Sequence, residues 1–152
     1  MNISYRNANQ KDIDLLIDYR LKLLEVSKSD DHYSEFVVRI SEYFTKAFTE
    51  NSCDVVLAEY NDTAVGVGLI YYFNSVPSRF NMTGNNGYIT SMYTDEEFRR
   101  KGIASTILVK LLELAKERNC GAVHLYTDSE DAHSIYKKNG FIESKGNMSI
   151  KL

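Results

Sequence analysis

Arg99-Arg100-Lys101-Gly102-Ile103-Ala104 is the stretch on which the reading of this chain turns. Before it, Tyr88-Ile89-Thr90-Ser91-Met92-Tyr93-Thr94 has the β-branched and aromatic content of a strand. After it, Ile103, Ile107, Leu108, Leu111, Leu112 and Ala115 recur at helical spacing and form one apolar stripe. A basic turn containing a glycine therefore joins a strand to the first turn of a helix.

The first amides of a helix lack internal acceptors, and the macrodipole makes that end electropositive. Gly102 has no Cβ, so an anion can approach the backbone there. Arg99, Arg100 and Lys101 add positive charge, which makes a diphosphate the natural ligand. Three basic residues alone would read as a solvated turn; the strand before them and the long amphipathic helix after them favour the anion site.

The chain resembles the GCN5-related N-acetyltransferase family. The family signature is Gln or Arg, two residues, Gly, one residue, then Gly or Ala, as in Arg99 to Ala104. A second family feature follows in Ala132-His133-Ser134-Ile135-Tyr136-Lys137-Lys138-Asn139-Gly140-Phe141. The resemblance implies an α/β fold with a mixed, centrally splayed β-sheet of about seven strands flanked by about four helices. It also implies acetyl-CoA as cosubstrate. Met92, Tyr93 and Thr94 would contact it on one side of the splay. Arg99, Arg100, Lys101, Gly102, Ile103, Ala104 and Ser105 would hold its pyrophosphate, and Ser134 and Tyr136 would lie along its pantetheine arm.

With 152 residues, the chain fits one N-acetyltransferase domain over 1–152. A formal net charge of −3 argues against a nucleic-acid binder built on the basic turn. Cys53 and Cys120 make no disulfide framework and read as buried free thiols in a reducing compartment. No basic region followed by an apolar run opens the chain, and no apolar stretch approaches the roughly 20 residues of a membrane span. A cytoplasmic protein with no membrane partner is expected. Neither the cysteines nor the three histidines show metal-ligand spacing, so no metal is expected.

In chain order, Asn2 to Arg6 reads as a first strand. Asn9 caps a helix whose apolar face is Ile13, Leu16, Ile17, Leu21 and Leu24. Ser34 is the expected cap of a second helix burying Val37, Ile40, Phe44, Ala47 and Phe48. Cys53 to Tyr60 and Ala64 to Phe73 form a hairpin about Asn61-Asp62, and Gly66 and Gly68 mark a bulge or close packing. Asn74 to Asn86 is a long connection that either borders the acceptor pocket or simply links strands. Gly121 is the expected stop of the central helix. Ala122 to Thr127 is the next strand and Glu130 to Lys138 a short helix. Phe141 to Glu143 with Met148 to Leu152 make a closing strand pair.

By the family pattern, the amide of Met92 faces the acetyl oxygen and the phenol of Tyr136 protonates the departing thiolate. The splay lies between Thr90–Thr94 and Val123–Asp128. A glutamate serves as base in several family members, but its position here is Tyr88, which leaves Asp128 or a water chain. Glu96, Glu97, His124 and His133 are further titratable groups. The reading is an acetyl-CoA-dependent N-acetyltransferase acting on a primary amine of a small molecule or peptide by direct transfer in a ternary complex. Tyr33, Tyr71, Tyr72 and Phe73 are candidate acceptor-wall aromatics. The alternative is a non-catalytic acyl-CoA-binding or sensing module, and a homodimer is compatible with the family.

Overall fold

The computed structural model describes residues 1–144, 150 and 151. Its sheet runs in chain order through β1 (Ser4–Asn7), β2 (Cys53–Tyr60), β3 (Thr63–Asn74), β4 (Asn85–Thr94) and β5 (Ala122–Leu125). The first four strands pair antiparallel, whereas β5 lies parallel to β4. Four helices accompany them: α1 (Ile13–Leu23), α2 (Tyr33–Thr49), α3 (Ile103–Glu117) and α4 (Glu130–Lys138).

Period-two alternation along the strands sends side chains to two cores. Val55, Leu57, Val67 and Leu69 pack against Leu16, Ile17, Ile40, Phe44 and Ala47 of α1 and α2. Val56, Ala58, Ile70 and Ile89 face the other way, against Ile103, Ile107, Leu108 and Leu111 of α3, with Tyr136 of α4 in the same cluster. The last four α3 residues named are 0–2% exposed, and burying each contributes roughly 1.5–3 kcal/mol. That burial holds the start of α3, and with it the basic turn, firmly against the sheet.

Several boundaries differ from the sequence reading. Five strands are present among the described residues rather than about seven. Phe141 to Glu143 is not a strand, and most of the expected partner, Met148 to Leu152, lies outside the described residues. Asn9 caps as expected: its side chain accepts from Lys11 N–H, and Asp12 accepts from Asn9 N–H at 2.8 Å. Ser34 does not cap α2, which begins one residue earlier behind His32. At the end of α3 it is Asn119, with φ +57°, that turns the chain. Gly121 serves close approach instead, since a Cβ there would collide with the Asn81 carboxamide.

The connection between β3 and β4 spans 75–84 and is tied down by a polar network. Asn86 donates to Gly84 O at 2.8 Å and to Ser75 Oγ at 2.9 Å. Asn81 donates to Asn85 O and to Asn86 Oδ1, both at 2.9 Å. Both asparagines are buried, so their satisfied amides fix the loop.

Candidate active site

Two irregularities of β4 build the site. The first is where β5 stops: parallel pairing runs from Asn86↔Ala122 to Ile89↔Leu125 and ends there. Beyond that point β4 continues to Thr94 without a β5 partner among the described residues. The splay therefore opens at Thr90 and, on the β5 side, at Tyr126 rather than at the expected Val123, since Val123, His124 and Leu125 are still paired. Backbone amides and carbonyls along Thr90–Thr94 face a gap, and such groups require partners.

The second irregularity is a bulge. Leu69 pairs with Thr90 but Val67 pairs with Tyr93, so Gly68 stands opposite both Ser91 and Met92. Ser91 adopts φ +53°, a left-handed conformation. Gly68 makes the bulge packable: a Cβ there would lie 2.5 Å from Met92 Sδ and clash with Ile107. The extra residue re-aims the strand, so Ser91 meets α1 while Met92 packs towards α3.

The gap is a cavity of about 430 Å³ lined by Ile89 to Thr94, Arg99, Ala104, Tyr126 to Ser129, Ala132, Ile135, Tyr136 and Leu23. At its basic end, Gly102 precedes α3 with φ +80° and provides no side-chain cap for the first amides. Beyond its chain neighbours, no atom of the described residues lies within 4 Å of a Cβ built on Gly102, so the space in front of the helix start is open. Thr94 Oγ1 is buried without a hydrogen-bond partner among the described residues. An uncapped helix start, a cradle free of side chain and an orphaned buried hydroxyl together fit a ligand with an anionic diphosphate and a polar arm. Met92, Thr94, Arg99, Ala104 and Tyr136 line the space that such a ligand would occupy.

The expected site residues divide into three groups. Met92, Tyr93, Thr94, Arg99, Ala104 and Tyr136 line the cavity together. Arg100, Lys101 and Gly102 are exposed on the turn outside the lining. Ile103 puts its side chain into the core, so only its backbone can serve an anion, and Ser105 is half-buried on the first turn. Ser134 lies exposed on α4, away from the lining. Arg99 is folded back, donating from Nε to Thr94 O at 3.0 Å, while Lys101 donates to Glu97 O at 2.7 Å.

Tyr136 is 8% exposed, with its ring edge-on to Phe141 at 5.8 Å. Burial raises its pKa above the ordinary phenol value, so it stays protonated at neutral pH. Among the titratable alternatives, Asp128 lines the cavity. His133 is paired with Glu143, His124 with Asn86 Oδ1 at 3.1 Å, and Glu96 with Arg99 at 3.7 Å.

A second cavity, also about 430 Å³, opens on the α1–α2 face. It is lined by Arg20, Phe36, Arg39, Ile40, Tyr43, Phe44, Leu69, Tyr71, Tyr88, Thr90 and Ser91. Thr90 and Ser91 belong to both cavities, so the two meet at the bulge. Of the aromatics proposed as walls, Tyr71 lines this cavity, stacked on Tyr88 at 5.3 Å. Tyr72 points elsewhere, donating to Asp54 at 2.7 Å, and Phe73 packs beside His124. Residues of the 75–84 connection line neither of these two cavities.

This geometry has a counterpart in known proteins. The sequence profile of the acetyltransferase (GNAT) family matches residues 17–141. The chain belongs to the GNAT family. A solved acetyltransferase of Clostridium acetobutylicum, determined with acetyl-CoA, is 31% identical at TM-score 0.87, covering 99% of this chain and 96% of that one. A thialysine N-epsilon-acetyltransferase of Sus scrofa is 29% identical over 135 residues, 82% of this chain and 74% of the relative. A GCN5-related N-acetyltransferase of Ralstonia eutropha shares the fold at TM-score 0.86 with 16% identity, each chain covered to 99%. As a GNAT protein, the chain is an N-acetyltransferase with a mixed α/β sheet. No helix among the described residues is long and apolar enough to cross a membrane.

Arg20 of α1 lies outside the site residues expected from sequence. Its signal was present: it sits between Leu16, Ile17 and Leu21 within the apolar stripe of α1, where a charge needs a reason.

Proposed function

We propose that the whole chain acts as one N-acetyltransferase domain that moves an acetyl group from acetyl-CoA to a primary amine of a small molecule or peptide, by direct transfer in a ternary complex. The observation that carries this reading is the meeting of the two cavities at Thr90 and Ser91. One substrate can lie in the splay while the other reaches the same strand position from the α1–α2 face. Neither cysteine lines either cavity, which favours direct transfer over a relay through a protein thiol. The thialysine acetyltransferase relative and the acetyl-CoA-bound structure support an amine acceptor and an acetyl-CoA donor.

When bound, the cosubstrate supplies an activated acetyl carbon. The amine nitrogen forms a C–N bond to that carbon as its C–S bond breaks. The Met92 amide donates to the acetyl oxygen as negative charge develops there. Tyr136 gives its proton to the departing sulfur. Asp128, directly or through water, receives the proton released by the amine.

The test is a calorimetric titration with acetyl-CoA followed by an amine panel monitored by CoA release. Saturable binding and amine-dependent release are the expected results. Tight binding with no release from any amine would establish the sensing module instead, and no binding would end both readings.

A further inference from the structure

The acceptor cavity holds a charge with little to answer it. Arg20 reaches from α1 to the bulge and donates to Ser91 Oγ at 3.1 Å, the one acceptor it finds among the described residues. A guanidinium has five N–H donors in a planar fork, so most remain available. The side chain is half-buried, and burial lowers its pKa, which means water solvates the charge poorly there.

Among the described residues, no aspartate or glutamate lines this cavity. The other lining cation, Arg39, is engaged at the exposed rim by Glu35 at 3.8 Å and Glu42 at 3.6 Å. Apart from the hydroxyls of Thr90 and Ser91, the remaining walls are aromatic or aliphatic, including Tyr43, Tyr71 and Tyr88. Burial pushes Tyr43 up to about 12, so its hydroxyl is a donor at neutral pH. Such a pocket attracts an anion and disfavours a second positive charge.

We propose that the acceptor amine carries a carboxylate, which Arg20 binds in the α1–α2 cavity while the amine projects past Ser91 towards the acetyl position. The proposal deepens the acetyl-transfer reading and rests on it for the identity of the reacting end. Ser91 immediately precedes Met92, so the carboxylate and the reacting nitrogen are separated by a short span, as in an amino acid. A planar guanidinium fork meets a carboxylate with two parallel hydrogen bonds, a match that fixes orientation as well as affinity. Arg20 is thus a specificity residue.

Matched probes test this. L-Lysine against cadaverine, L-ornithine against putrescine, and β-alanine against ethylamine differ within each pair by the carboxylate. Binding is measured by calorimetry on the CoA-loaded protein, and acetylation separately by CoA release. The wild type is expected to prefer the carboxylate member of at least one pair, and Arg20→Gln to shrink that preference by about 10- to 100-fold. Arg20→Lys should retain part of the preference. Arg39→Gln, whose charge is already paired, should shift it by no more than about threefold.

Absence of any preference in the wild type, or equal loss for both members of a pair in Arg20→Gln, would overturn the assignment. Loss of the preference in Arg39→Gln would do the same. Carboxylate-dependent binding without acetylation would keep the Arg20 site and remove the transferase reading. Acetylation restricted to amines lacking a carboxylate would do the reverse.

Discussion

Gly102→Glu tests the diphosphate site where the structure permits a clean separation of effects. Gly102 has φ +80°, so any side chain there costs about 1–2 kcal/mol of stability. For a chain of 152 residues, that lowers Tm by roughly 2–8 °C. Beyond the chain neighbours, no atom of the described residues stands within 4 Å of the new Cβ, so no clash adds to this cost. Gly102→Ala should therefore show the same loss of stability as Gly102→Glu.

Their affinities for acetyl-CoA should differ sharply. A glutamate carboxylate about 5 Å from one diphosphate charge, at an effective dielectric of about 20, is repelled by about 3 kcal/mol. That corresponds to roughly a hundredfold in Kd. Calorimetric titration of both variants at low and high salt is the assay, and the gap should narrow as salt screens the repulsion. If Gly102→Glu binds acetyl-CoA within about threefold of Gly102→Ala at low salt, the diphosphate does not lie at this helix start.

Tyr136→Phe should lower kcat about a hundredfold, the lower range for loss of a positioned proton donor, with acetyl-CoA affinity changed far less; single-turnover rates check this. Gly68→Ala forces a methyl against Ile107 and within 2.5 Å of Met92 Sδ. It should cost about 1–3 kcal/mol in denaturant unfolding and slow transfer by displacing the Met92 backbone. Asp12 is held by Arg6 at 2.8 and 2.9 Å, and that pairing lowers its carboxyl pKa. Its contribution is complete above the unfolded value of about 3.9 and disappears as pH falls through the lower folded value. The stability advantage of wild type over Asp12→Asn, measured by urea unfolding, should therefore be present near neutral pH and shrink in acid below about pH 4.

Much of the fold is written in local pattern. Ile103, Ile107, Leu108 and Leu111 repeat at a helical period because one face of α3 is buried, and the strand before them is rich in the β-branched and aromatic residues that suit a pleated sheet. Asn61 and Asp62, with φ of +50° and +59°, close the hairpin expected of them. Gly66 and Gly68 were readable as close packing, and both stand against α3 side chains. The basic turn and the Tyr136 segment could be located from residue order alone, since a strand, a glycine turn and a helix start are consecutive.

What lies across the sheet was decided by tertiary structure. That β5 leaves β4 after Leu125, that Ser91 bulges, and that Arg20 on α1 meets that bulge are contacts between residues distant in sequence. Gly121 shows the same division: its place after a helix suggests a stop, but what it must avoid is the Asn81 side chain from another loop. Residue spacing encodes which face of an element is apolar. Only the packed chain determines which neighbour meets that face, because side-chain shape and pairing register act between elements rather than along them.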